Sequence, residues 1–408
     1  MPEQEVRRDS LVLLKLPFLS VWTLRGLSAL GTQLLAFALS LQLYQTTGSL
    51  LDLGLLGLIQ FVPGICFALP AGHLTDRYPP GRVAAAAQLL NVVAAIILLV
   101  PGLTGMSGAG PIFVAAVVIG VTRAFEHPVN TVLIPVVVDR LHVPAAVAWT
   151  MSVAKVAGLL GPVLAGLLYA IQPHLSYATA LAPYILAAIA ALGLPASSAN
   201  PISSPLDMKS AFAGFSVIWH DRVLSGAMTL DLFAVLLGGA TALLPAYALD
   251  ILHVGASELG ILRAAPAVGA VAMGFWLSRR PVTRHSGIIL IGATCIFGLL
   301  TCAFGLSRDF MLSTFLLAGI GAADMVSIHI RSALVQLRTP PELRGRVGAV
   351  NGIFISSSNQ IGAFESGLAA SLLGPVPAVV LGGGGTIIAA IAIAVLFHPL
   401  RSADRPEG

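Results

Sequence analysis

The sequence predicts an all-α membrane protein with twelve transmembrane helices arranged as two six-helix halves. Three observations support this fold class. The 408 residues are 57% hydrophobic and only 10% charged, they include twelve long apolar stretches, and the loops between these stretches carry their positive charge on one side. A helix needs about 20 apolar residues to cross the hydrocarbon core of a bilayer.

The apolar stretches are named spans 1 to 12 in chain order. The first six lie at approximately 17–44, 49–71, 83–103, 110–136, 146–171 and 176–196. The second six lie at approximately 223–249, 255–277, 286–306, 310–336, 346–373 and 375–397. The first stretch is too long for a signal peptide and no small-residue cleavage site follows it, so we expect it to remain as span 1.

The basic residues indicate the orientation. When the spans are threaded alternately through a bilayer, the loops on one side carry nearly all of the Lys and Arg, and the opposite loops carry one base, Arg308. Because cytoplasmic loops are enriched in these residues, both termini are predicted to be cytoplasmic in a cell inner membrane. The net charge of +4 then reflects contact with anionic headgroups, and no nucleic-acid partner is expected.

A polar linker separates the two halves. The sequence predicts an N-terminal half at 1–196, a Ser- and Pro-rich cytoplasmic linker at 197–222 and a C-terminal half at 223–408. Two faint internal matches, 48–54 with 255–260 and 161–166 with 362–367, suggest a repeat. Six-helix halves in the same orientation are typical of secondary transporters that rock about a central site.

Charged residues inside the spans are the first candidates for function. A charge near the bilayer centre costs at least about 2.5–3.5 kcal/mol, so each needs a partner, a cavity or a role. We count eight: Arg25, Arg123, Glu126, Lys155, Asp231, Arg263, Asp324 and Glu365. By this count the N-terminal half holds three of the four bases, and the C-terminal half holds three of the four acids.

Two roles are assigned from this distribution. Asp231 and Asp324 are the leading proton-coupling candidates because the C-terminal half offers few bases to pair with them, and Glu126 is the third. The substrate-cavity candidates are Arg25, Arg123, Lys155, Asn359 and Gln360. Alternatives remain open: Arg123 and Glu126 lie three residues apart and would neutralise each other on one helix face, and Lys155 would pair with a carboxylate on a neighbouring helix.

The segment after span 2 carries a recognisable motif. Its sequence, GHLTDRYPPGR at 72–82, resembles the Gly-x-Leu-Ala-Asp-Arg-x-Gly-Arg signature of the major facilitator superfamily, with Pro79-Pro80 as a departure. The resemblance implies that Gly72, Asp76, Arg77 and Arg82 form a gate that closes the cytoplasmic side. The matching segment between spans 8 and 9 keeps bases but has no aspartate.

Span 5 carries a second motif. Gly161, Pro162 and Gly166, with Ala165 between them, are similar to the Gly-Pro-x-x-Gly-Gly element of facilitator drug/proton antiporters. An ordinary packing motif, in which small residues let two helices approach closely, explains the same residues equally well.

Further segments extend the resemblance over nearly the whole chain. LYQTTGS at 43–49, FEHP at 125–128, LPAYA at 244–248 and RTPPELRGRV at 338–347 resemble the facilitator branch that contains bacterial enterobactin exporters. Lysophospholipid flippases and macrolide exporters are its relatives. The resemblance implies the major facilitator fold.

We therefore expect a monomeric secondary transporter that exports a small, anionic organic molecule such as a siderophore in exchange for protons. No phosphate loop, metal-ligand cluster or nucleophile–base arrangement stands out, so we expect no cofactor, no metal and no enzyme activity. The alternatives are a lysophospholipid flippase, a multidrug or macrolide efflux pump, an importer with the same fold, and a non-transporting membrane receptor or scaffold.

Overall fold

The computed structural model describes residues 16–105, 108–195, 215–216, 218–280, 282, 284–340 and 343–401. In these ranges the chain forms long helices and no strands. The first six spans are Leu16–Thr47, Leu50–Cys66 with Ala68–Arg77, Pro80–Thr104, Gly110–Val137, Val143–Ile171 and Pro173–Leu192. The second six begin with span 7, which is the helix Arg222–Leu237 followed by shorter helical segments up to Ile251. Spans 8 to 12 are Ala256–Arg279, Ser286–Leu306, Phe310–Arg338, Arg344–Leu373 and Pro375–Leu396. The predicted fold class, with twelve transmembrane helices, is confirmed.

Length and hydropathy support the membrane assignment. In the part of the chain that the structure describes, ten helices are long and apolar enough to cross a bilayer, and the bent pair in span 2 makes an eleventh. Span 11 has 30 residues, about 45 Å of helix at 1.5 Å per residue. Its mean hydropathy is lowered by polar residues such as Asn351, Asn359 and Glu365.

Span 2 bends by 47° where its two helices meet at Phe67. Pro70 follows this point and has no backbone N–H to bond the carbonyl four residues before it, which favours a kink. The second helix, Ala68–Arg77, carries the predicted gate motif. Gly72, Asp76 and Arg77 are therefore helical, and only Tyr78 and Pro79 separate this helix from span 3.

Span 7 is not the continuous helix that the sequence predicted at 223–249. The helix Arg222–Leu237 ends at Gly238-Gly239, and the chain continues as a 3₁₀-helix at Ala240–Leu243, a short α-helix at Leu244–Ala246 and a π-helix at Tyr247–Ile251. Glycine at the break also allows close packing, because a Cβ on Gly239 would lie 2.7 Å from the carbonyl oxygen of Gly362 on span 11. Tyr247 anchors the segment after the break by donating its hydroxyl to the carbonyl of Gly305, at 3.2 Å.

The chain forms two compact units. Unit 1 comprises Met1–Gly48 and Ile59–Pro205, and unit 2 comprises Ser49–Leu58 and Leu206–Gly408. The start of span 2 thus groups with unit 2. The predicted division at 1–196, 197–222 and 223–408 remains a proposal, because most of its linker lies outside the described residues.

In unit 1, span 1 packs along spans 5 and 6, and span 3 packs along spans 4 and 6. Small residues set the closest approaches. A Cβ on Gly31 would lie 2.8 Å from the ring of Tyr184 on span 6, and a Cβ on Gly81 would lie 2.6 Å from the carbonyl oxygen of Ala191. Close packing of this kind replaces hydrophobic burial as the main attraction between helices in lipid.

In unit 2, span 8 packs along span 10, and span 9 packs along spans 10 and 12. Gly269 and Gly321 bring spans 8 and 10 together, since each lies against a backbone carbonyl of the other helix, those of Ala318 and Pro266. Residues 49–58 pack on span 11 through Gly54, where a Cβ on Gly367 would lie 2.6 Å from the Cα of Gly54.

Candidate functional site

Two arginines of unit 1 lie around one carboxylate, that of Glu126. Arg123 and Glu126 lie three residues apart on span 4, and Arg25 comes from span 1. Both arginines interact electrostatically with Glu126. Arg123 and Glu126 therefore act on each other electrostatically from one helix face, and Arg25 adds a second cation that acts on the same carboxylate.

Neutral groups from spans 1 and 3 complete the surroundings of this carboxylate. Ser28 donates its hydroxyl to Glu126 Oε1 at 3.4 Å, and the amide of Asn91 on span 3 lies close to the same carboxylate. Asn91 Nδ2 in turn donates to Gln88 Oε1 at 3.5 Å. Both amide side chains are buried, with 2% and 3% of their residue surface exposed.

Span 6 contributes a tyrosine to the same region. Tyr184 interacts electrostatically with Arg123 and Glu126 and donates its hydroxyl to Thr32 Oγ1 at 3.4 Å. Glu126 is thus reached from spans 1, 3, 4 and 6. The sequence predicted that Arg123 would lie near Glu126, but it did not relate Arg25 to this carboxylate. Ser28, Asn91 and Tyr184 were missed, because a single polar residue in an apolar span gives no sign of which helix it faces.

The remaining predicted base of unit 1, Lys155, is exposed on span 5.

The span 5 motif, Gly161, Pro162 and Gly166, lies close to Lys155 in sequence and is buried. A Cβ on Gly161 would lie 2.5 Å from the Cβ of Gln33 on span 1, and Pro162 and Gly166 are both buried. This geometry is that of a close helix contact between spans 1 and 5.

The prediction of eight intramembrane charges in the whole chain omitted one residue of unit 2. This residue is Arg331, which lies within the predicted span 10 and is 5% exposed. Arg331 forms a buried ion pair with Asp231 of span 7. The expectation that Asp231 lacks a basic partner is therefore wrong. Away from the helix ends, the C-terminal spans hold two bases, Arg263 and Arg331, rather than one.

A second ion pair joins the same two helices near the start of span 7. Asp221 precedes span 7 and accepts hydrogen bonds from the backbone N–H groups of Val223 and Leu224, at 2.8 and 3.2 Å. It also pairs with Arg338 at 3.2 Å, where the two side chains are 25% and 21% exposed. Asp221 is therefore both the N-cap of span 7 and a cross-link to span 10.

The other candidates of unit 2 are placed as follows. Asp324 is partly buried on span 10, seven residues before Arg331 and so on the same helix face. Asn359 is exposed and donates to the carbonyl of Ile355 on its own helix at 2.8 Å. Gln360 is partly buried, with its side-chain oxygen 3.2 Å from where a Cβ on Gly57 would lie.

Two further charged residues of unit 2 and the residues of the gate motif differ in their exposure. Arg263 and Glu365 are partly buried, and Glu365 accepts a hydrogen bond from Ser366 at 3.4 Å. In the gate motif, Asp76, Arg77 and Arg82 are exposed and Gly72 is partly buried. Across the described ranges, no group of three His, Cys, Asp or Glu residues is placed to hold a metal ion.

Comparison with known proteins gives consistent matches over most of the chain. The family model for the Major Facilitator Superfamily matches residues 21–363. The enterobactin exporter EntS of Citrobacter koseri is 24% identical over 406 residues, covering 95% of this chain and 94% of that protein. The enterobactin exporter EntS of Shigella boydii serotype 18 is 25% identical over 403 residues, covering 94% and 92%.

Two solved structures show the likeness in fold. A bacterial homologue of the iron transporter ferroportin, in an inward-facing state, matches with a TM-score of 0.67 and 19% identity, covering 95% of this chain and 98% of the other. A POT family transporter in complex with 5-aminolevulinic acid matches with a TM-score of 0.71 and 12% identity, covering 94% and 96%. At these identities the likeness concerns the fold alone.

Proposed function

The chain belongs to the Major Facilitator Superfamily and is a multi-pass membrane transporter, and on that premise we propose that it is a proton-coupled exporter of a small, anionic organic molecule such as a siderophore. The observation that carries this proposal is the cluster in unit 1, where one carboxylate, Glu126, interacts with two arginines, Arg25 and Arg123. The cluster supplies both a group that can change its protonation state and an excess of positive charge.

The charge of the cluster supports an anionic substrate. Away from the helix ends, the described spans of unit 1 carry three bases, Arg25, Arg123 and Lys155, against one acid, Glu126. Charges act more strongly in the low-dielectric interior of a membrane protein than in water, so this excess favours an anion over a cation of the same size. Lys155 is the most accessible of the three and is the base we expect a substrate to meet first.

The surroundings of Glu126 support its role as the proton carrier. An ionised carboxylate inside a membrane is costly and is retained mainly at functional sites. Here the cost is offset by two cations and by the hydroxyl of Ser28, so Glu126 is the carboxylate of unit 1 that we expect to exchange the proton. Asp231 is a weaker candidate than the sequence suggested, because its charge is already matched by Arg331, and Asp324 remains the second candidate.

The relatives support the direction and the class of substrate. The curated relatives are enterobactin exporters, and the match runs over nearly the full length of both chains. At about 25% identity the exact molecule need not be shared, so the proposal concerns the class, an acidic iron-binding or similar organic anion.

The proposal is tested by efflux from cells that lack or overexpress the protein. Matched anionic and cationic compounds of similar size are loaded, and their efflux is compared for the wild type, Arg25→Gln and Arg123→Gln. Arg222→Gln, at the exposed cytoplasmic end of span 7, is the control. We expect efflux of the anion alone, lost in the two unit 1 variants and kept in the control.

Two other outcomes would contradict the substrate class. Efflux of lipophilic cations that does not respond to Arg25→Gln or Arg123→Gln would favour a multidrug pump. Movement of a lysophospholipid between leaflets with no efflux of soluble anions would favour a flippase.

We also infer that the protein lies in the inner membrane with both termini in the cytoplasm, as the basic loops indicate. Single cysteines introduced at Arg280 and Arg308, in a background without Cys66, Cys295 and Cys302, test the orientation. A membrane-impermeant thiol reagent added outside should label position 308 and leave position 280 unlabelled. The reverse labelling would contradict the assignment.

A further inference from the structure

We propose that a cavity at the start of span 7 binds the phosphate headgroup of an anionic phospholipid from the surrounding bilayer. The cavity has a volume of about 580 Å³ and lies within unit 2. Two arginines line it, Arg222 and Arg338, together with Asp221 and His220. None of these residues is a candidate for the substrate cavity or for proton coupling, so the proposal goes beyond the transport activity.

The ends of three spans place this cavity at the edge of the bilayer. Span 7 begins at Arg222, span 10 ends at Arg338, and Pro399, which also lines the cavity, follows span 12. Odd-numbered spans begin and even-numbered spans end on the same side of the membrane, and the basic loops assign this side to the cytoplasm. Lipid headgroups lie at this level, and basic pockets between cytoplasmic ends of spans bind anionic headgroups.

The charges of the cavity leave cationic groups available for an anion. Asp221 is already occupied, because its carboxylate accepts two backbone N–H groups of span 7 and a bond from Arg338 Nη1 at 3.2 Å. In the described part of the chain Arg338 Nε has no hydrogen-bond partner, and Arg222 is exposed. Two arginines against one aspartate give a net charge of +1 when His220 is neutral. This charge suits a phosphodiester, whose oxygens pair well with guanidinium groups.

Aromatic side chains next to the cavity favour a lipid over a free phosphate ion. Phe215 and Trp219 come just before His220 and stack with ring centroids 5.6 Å apart, and Phe215 also stacks on Phe354 of span 11 at 6.3 Å. Trp219 is 69% exposed. Aromatic rings are enriched where spans leave the membrane, because they meet acyl chains on one side and water on the other. A phospholipid gains contacts with these rings, whereas a phosphate ion does not.

The experiment uses the full-length protein, purified in detergent and delipidated. Phosphatidylglycerol, phosphatidylcholine or sodium phosphate is added, native mass spectrometry counts the molecules retained, and the temperature of inactivation reports stabilisation by binding. We expect tight retention of phosphatidylglycerol with a raised inactivation temperature, and neither effect from the other two. Arg222→Gln should bind phosphatidylglycerol about fivefold more weakly, as for the loss of one base near an anionic surface, and Arg222→Glu should lose it.

The matched control is Arg280→Gln, which removes an exposed base at the end of span 8, on the same side of the membrane but outside the cavity. It should bind phosphatidylglycerol as the wild type does. Because the bound lipid is not the transported molecule, Arg222→Gln should lose lipid and keep efflux.

Four results would overturn the proposal. Wild-type retention of phosphatidylglycerol by Arg222→Gln and Arg222→Glu would show that the cavity does not bind it, and equal weakening by Arg280→Gln would show a general attraction to the basic loops. Equal retention of phosphatidylcholine would show that the charge of the headgroup is not recognised. Equal stabilisation by sodium phosphate would assign the cavity to a free anion.

Discussion

Removal of either partner of the buried ion pair between Asp231 and Arg331 is expected to destabilise the protein by about 3–5 kcal/mol, because the remaining charge is left inside the membrane without a partner. The two residues are 8% and 5% exposed, so water cannot replace the missing partner. Asp231→Asn and Arg331→Gln should each show this loss. The double variant should lose less than the sum of the two singles, by about 0.5–3 kcal/mol, since it leaves no unpaired charge.

The assay is the rate of thermal inactivation of the detergent-solubilised protein, because large membrane proteins seldom unfold reversibly. The pair between Asp221 and Arg338 is the matched control, since it joins the same two helices but is 25% and 21% exposed. Its coupling should be about 0.2–1 kcal/mol, as for exposed pairs. Single variants of the inner pair that are as stable as the wild type, or a double variant that is less stable than either single, would refute the reasoning.

The same variants separate a structural role of Asp231 from a role in proton coupling. If Asp231 is structural, the double variant should recover transport that responds to a pH gradient along with its stability. If Asp231 carries the proton, the double variant should be stable and uncoupled. The structure favours the first result, because the charge of Asp231 is matched by Arg331.

Three further predictions concern helix contacts and the gate motif. Gly367→Val should lower both stability and transport, because its side chain would meet the Cα of Gly54, whereas Gly384→Val should be tolerated because nothing lies within 4 Å of a Cβ there; equal effects of the two would contradict this. Gly161→Val should reduce thermal stability and transport together if span 5 carries a packing motif, and a stable protein without transport would instead indicate an antiport determinant. Asp76 lies in the last turn of its helix, where a carboxylate interacts unfavourably with the helix dipole and destabilises the helix by about 0.3–1 kcal/mol. Asp76→Asn should therefore slightly raise stability, and it should lower transport if Asp76 belongs to the gate. Unchanged transport would contradict the gate role.

The number and order of the spans could be predicted from the sequence because bilayer thickness imposes a length and a hydropathy on every spanning helix. The breaks could not be located in the same way. Gly238-Gly239 interrupts span 7, yet Arg222–Ile251 still contains a stretch with a mean hydropathy of 1.9. Pro70 likewise bends span 2 inside a long apolar run. Backbone freedom at glycine and the missing N–H of proline act locally, and hydropathy does not record them.

The sequence predicted the charged residues of the candidate site but not the contacts that they make. Arg25, Arg123 and Glu126 stand out because charges are rare in apolar spans, and the structure brings them together. The partner of Asp231 is Arg331, one hundred residues further along the chain, and only the packing of span 7 on span 10 relates them.

The central claim is that Glu126 couples transport to protons, and the most direct measurement is uptake of an organic anion into proteoliposomes with and without an imposed pH gradient. Wild-type uptake should respond to the gradient. Glu126→Gln should still exchange labelled for unlabelled substrate, which needs no proton, and should lose the response to the gradient. A Glu126→Gln protein that exchanges substrate and responds to the gradient as the wild type does would contradict the account.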